Sequence, residues 1–123
     1  MRKFVLYTLP LLLYAVLIYW VSSLEKLPDP HIEFDLIDKV AHAIEYCVFS
    51  VLAHRFFAAF EPKSAKTVYI GAILLGLFYA ASDEIHQLFV PGRFCDFYDW
   101  VADAIGIGCG AILYFLLSSR SER

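Results

Sequence analysis

The chain has 123 residues, room for one domain, with a net charge of −3 and a pI near 5.7. Hydrophobic residues make up 60% and charged residues 19%, with a mean hydropathy of +0.62, against roughly 45–50% and about 25% in soluble domains. That surplus excludes a water-facing globule of this size. No basic run marks a nucleic-acid partner, and Cys47, Cys95 and Cys109 match no zinc spacing or disulfide framework.

Four apolar segments follow. The first runs from about Phe4 to Val21, after Arg2 and Lys3. It exceeds a signal-peptide core and ends in Tyr19 and Trp20 rather than small residues, so it reads as a retained helix with an aromatic anchor. The second runs from about Ile37 to Phe60. The third runs from about Val68 to Val90, before Pro91-Gly92, and the fourth from about Trp100 to Leu117. Each supplies the ~20 residues that a bilayer crossing needs. Lipid leaves backbone groups no partner outside the segment, so each crossing must be a helix. The expected fold is all-α: a four-transmembrane-helix bundle, one membrane domain over residues 1–123.

Lys and Arg set the expected orientation. Arg2, Lys3, Arg55, Lys63, Lys66, Arg120 and Arg123 would share one side; Lys26, Lys39 and Arg93 would share the other. Both termini are therefore expected in the cytoplasm. Of 13 acidic residues, only Glu61 and Glu122 then fall inside, a bias that the orientation rule does not require.

The acids fall on helical faces. Asp38, His42, Glu45 and Phe49 lie within about 60° on the second helix, with Glu45 roughly 10 Å below Asp38. Ala72, Gly76, Ala80 and Glu84 form a row on the third, extended by Gln87 and flanked by Asp83. Asp96, Asp99, Asp103, Gly106 and Gly110 share a face of the fourth if it starts early. Small residues in such rows let helices approach closely, so the rows that pack the bundle also deliver acids to its interior. The first helix carries no acid and is expected to support or cover the site.

The ordered set Asp38-Lys39-x-x-His42-x-x-Glu45-Tyr46, Asp83-Glu84-x-His86-Gln87, Pro91-Gly92-Arg93 and Asp96-x-x-Asp99 resembles the VanZ-like family, over about Asp38 to Gly110. The chain departs from that family's pattern at Asp103, where Asn is usual. The resemblance implies a multi-pass protein of the bacterial cytoplasmic membrane. Through the family's name-giving member it also implies a link to resistance against the glycopeptide teicoplanin, but it brings no established reaction.

Several chemistries remain open. His42 and Glu45 stand at an i, i+3 spacing used by helical metal ligands; with Asp38, Glu84, Asp99 or Asp103 they could hold a divalent metal. Close carboxylates cannot all ionise in a low-dielectric site. Glu45, Glu84 and His42 are therefore the candidate catalytic groups of a hydrolase or transferase acting on a lipid-linked phosphate. Arg93, Gln87 and Asp99 are the candidate substrate-binding residues, Arg93 suiting a phosphate or carboxylate. Binding of a membrane lipid, a cell-envelope precursor or an antibiotic without chemistry is a third reading, and ion relay a fourth. Against these stand structural roles: Asp38, Asp96 and Asp99 as helix caps, Arg93 in an ion-pair network, and His31 and His54 at the membrane interface.

Overall fold

A computed structural model describes residues 1–25, 36–60 and 64–121. Lys26, His31, Glu61, Lys63, Glu122 and Arg123 lie outside the described residues. Phe4–Thr8 forms wide π-helical turns that continue directly into α1, Leu9–Ser22. Then come α2 (Leu36–Phe60), α3 (Ala65–Gln87) and α4 (Phe97–Ser121). All four crossings are long and apolar enough to span a bilayer. Large apolar side chains such as Leu13, Val16, Ile44, Phe78, Ile105 and Ile112 are exposed on the outside of the bundle, as a lipid-facing surface requires.

Two helices start earlier than apolar periodicity suggests. Ser64 caps α3, its side chain accepting from the Thr67 N–H at 3.3 Å. Asp96 caps α4: one carboxylate oxygen accepts from the Tyr98 N–H at 2.8 Å, and its carbonyl accepts from Asp99 and Trp100. At the other end α3 stops at Gln87, and Gly92, with φ of 75°, turns the chain back.

The closest packing joins α2 and α4. A Cβ at Gly106 would lie 2.1 Å from the Ala43 carbonyl oxygen, and one at Gly110 would lie 2.5 Å from that of Cys47. These two glycines bring the helix backbones together, and the Ser50 hydroxyl bonds the Ile107 carbonyl across the seam at 2.9 Å. On α3, Ala72, Gly76, Ala80, Glu84 and Gln87 are all buried, so the small-residue row does face inward. α1 lies against this core through hydrogen bonds at its edges, Tyr79 to the Ala15 carbonyl (2.6 Å) and Tyr14 to the Glu45 carbonyl (3.2 Å).

Candidate functional site

The three acidic rows converge at the end of the bundle where α2 and α4 begin and α3 ends. His42, Glu84, Gln87, Asp99 and Asp103 are buried there, with Asp38 and Glu45 half-buried. Helical periodicity explains this: Asp99 and Asp103 stand one turn apart on the stripe that continues into Gly106 and Gly110, and that stripe faces α2.

His42 is the centre of the arrangement. Its Nδ1 lies 2.9 Å from Asp103 Oδ1. With that carboxylate accepting, Nδ1 carries the proton and Nε2 is left to act as base or ligand. Its donor atoms group with those of Glu84 and Asp103, and in a second set with those of Asp38 and Asp99. Each set lies within 4.8 Å, and among the described residues these side chains could hold a metal ion. Glu84 accepts from the Asp96 N–H through Oε2 at 3.0 Å. Its other oxygen, Oε1, is buried without a hydrogen-bond partner among the described residues, as is Asp103 Oδ2.

Lys39 closes the group on the side of the α3–α4 connection. Its ammonium bonds both Asp96 and Asp99. Burial alone would raise the Asp96 carboxyl, but the Lys39 ammonium and the Tyr98 N–H outweigh it and hold this group below the usual carboxylate range. The capping reading of Asp96 is thus correct, and the same side chain also ties the loop to α2.

Glu45 joins neither donor set. It sits one three-residue step round α2 from His42, among the charges of His42, Asp83, Asp103 and Arg93. Among the described residues Arg93 contacts the end of α1 rather than an acid. Its Nε donates to the Leu24 carbonyl at 2.9 Å and Nη2 to that of Val21 at 3.1 Å, where a cation meets the negative end of the helix dipole.

Three buried groups were absent from the candidates named above. Asp83 is buried beside Glu84, and its flanking position on the small-residue row was the available signal. Tyr46 is fully buried, its hydroxyl without a hydrogen-bond partner among the described residues, amid the charges of Asp83, Asp103 and Glu45; its place one turn after His42 pointed there. His54 is a correction. It is fully buried rather than interfacial, its Nδ1 bonding the Ser50 carbonyl at 2.7 Å and its ring stacked on Tyr114 and edge-on to Tyr69.

A bundle of four membrane-length helices around a buried acid–histidine centre defines a polytopic membrane protein with a polar interior site. The VanZ/LLP1 family model matches residues 5–118, and the chain belongs to that family. No curated protein and no solved structure matches it.

Proposed function

We propose that this VanZ-family protein lies in the bacterial cytoplasmic membrane with both termini inside, and that its acid–histidine site faces the outer leaflet and engages a cell-envelope component. One observation carries the reading: three helices bury ionisable side chains together at one end of the bundle, where ionisable groups in a membrane mark function by default. The excess of Lys and Arg at the opposite end supports the orientation. Lipid-linked precursors present phosphates and sugars at that leaflet. Lys39, Gln87 and the carboxylates offer polar recognition there, and His42 with Glu84 or Glu45 offers proton transfer. A contribution to teicoplanin resistance is the cellular consequence we assign.

The chain carries its own topology probe. Cys95 is exposed in the α3–α4 connection. A membrane-impermeant maleimide should label it in intact spheroplasts, with Cys95→Ser as the blank. Labelling only after permeabilisation would reverse the orientation and remove the outer-leaflet reading. For the ligand, purified protein in nanodiscs should retain a lipid-linked cell-wall precursor, and Glu84→Gln should weaken that retention. Equal retention by wild type, Glu84→Gln and His42→Ala would exclude this site as the binding site.

A further inference from the structure

We infer that His42, Glu84 and Asp103 bind one divalent transition-metal ion, zinc or manganese. Three observations meet at this point. The donor atoms of the three side chains lie within 4.8 Å of one another, and all three residues are buried. Ligands about 2.1 Å from zinc stand roughly 3.4 Å apart in a tetrahedron, so small side-chain adjustments close the set. Second, Glu84 Oε1 and Asp103 Oδ2 are buried and have no hydrogen-bond partner among the described residues. The two side chains are 3% and 0% exposed, and an unpartnered carboxylate oxygen at such depth calls for a proton or a cation.

The third observation is the charge of the group. Two carboxylates stand against one imidazole, while Lys39 bonds Asp96 and Asp99, and Arg93 bonds the α1 carbonyls. A divalent ion offsets what His42 alone does not. One imidazole with two carboxylates selects zinc or manganese over calcium and magnesium, which prefer an all-oxygen shell. Three protein ligands leave a coordination position open for water or a ligand oxygen, the arrangement of working rather than purely structural metal sites. The Glu84 bond to the Asp96 N–H and the hold of Lys39 on Asp96 orient the set from outside it.

The test uses the full chain in detergent, stripped with chelator and titrated separately with Zn2+ and Mn2+, with Co2+ as a spectroscopic probe. The expected result is one ion retained per chain and visible Co2+ bands. Asp103→Asn and Glu84→Gln should each weaken binding by about tenfold or more, while Glu25→Gln, an exposed acid beyond α1, leaves it unchanged. No retained ion with either metal overturns the inference, as does an affinity in both Asp103→Asn and Glu84→Gln that equals that of the wild type. The wild-type ion count decides the matter even where a variant fails to fold. The inference uses the residues of the proposed site but not its side of the membrane, so a reversed Cys95 labelling pattern would leave the ion count untouched.

Discussion

Gly106→Ala tests the joint on which the site is built. Its new methyl would fall 2.1 Å from the Ala43 carbonyl oxygen. The closest favourable carbon–oxygen approach is about 3.3 Å, so α2 and α4 must part by about 1.2 Å. The obstacle is backbone, which cannot rotate away as a side chain would. Overpacking generally costs about 1–3 kcal/mol, and a backbone clash belongs at the upper end of that range. Gly108→Ala is the control. Among the described residues its new methyl meets nothing within 4 Å, and it should gain about 0.5–1 kcal/mol from leaving the most flexible residue type. The pair should therefore differ by about 2–4 kcal/mol in reversible unfolding in mixed micelles. Gly106→Ala should also lengthen the His42–Asp103 contact, now 2.9 Å, since those residues stand one and three positions from the clash. The His42 ring signals in NMR should move in Gly106→Ala and stay in place in Gly108→Ala. Two variants equal within about 0.5 kcal/mol would show that the α2–α4 backbones are not in contact here.

Arg93→Gln should release the end of α1 by removing charge-assisted bonds to the Val21 and Leu24 carbonyls, a loss of about 1.5–3 kcal/mol. Hydrogen exchange should accelerate in the last turn of α1 and stay unchanged in α4; uniform acceleration would contradict a local anchoring role. Asp96→Asn tests the link between Lys39 and the loop. Because the folded state holds the Asp96 carboxyl below its ordinary value, its contribution is present above the unfolded value of about 3.9. It is lost as pH falls through the lower folded value. The stability gap between wild type and Asp96→Asn should therefore be widest near neutrality and close in acid; a gap independent of pH would refute the pairing.

The acid rows were legible because helix geometry alone sets them: positions 99, 103, 106 and 110 must share a stripe, and so must 72, 76, 80, 84 and 87. Neighbours contributed by other helices were not legible. Arg93 finds main-chain carbonyls that lie 69 and 72 positions back along the chain, and carbonyls carry no residue-type signal. His54 reads as an interfacial residue until Tyr69 and Tyr114 arrive from two other helices to enclose it. Glu45 shares a broad stripe with His42. A three-residue step still turns it about 60° round the helix, enough in a crowded bundle to leave it out of both donor sets. The early starts of α3 and α4 rest on Ser64 and Asp96, and a cap is recognised with certainty only when its hydrogen bond is seen.

The edge bonds of α1 have a consequence for biogenesis. Tyr79 and Arg93, which fasten this helix, are made some sixty residues or more after the carbonyls they bond. During synthesis the first helix must wait in the bilayer before its partners leave the ribosome. Its span has the highest hydropathy of the four, 2.1, and so can wait unaccompanied. The later segments, which carry the acids, enter a membrane where a docking companion already stands.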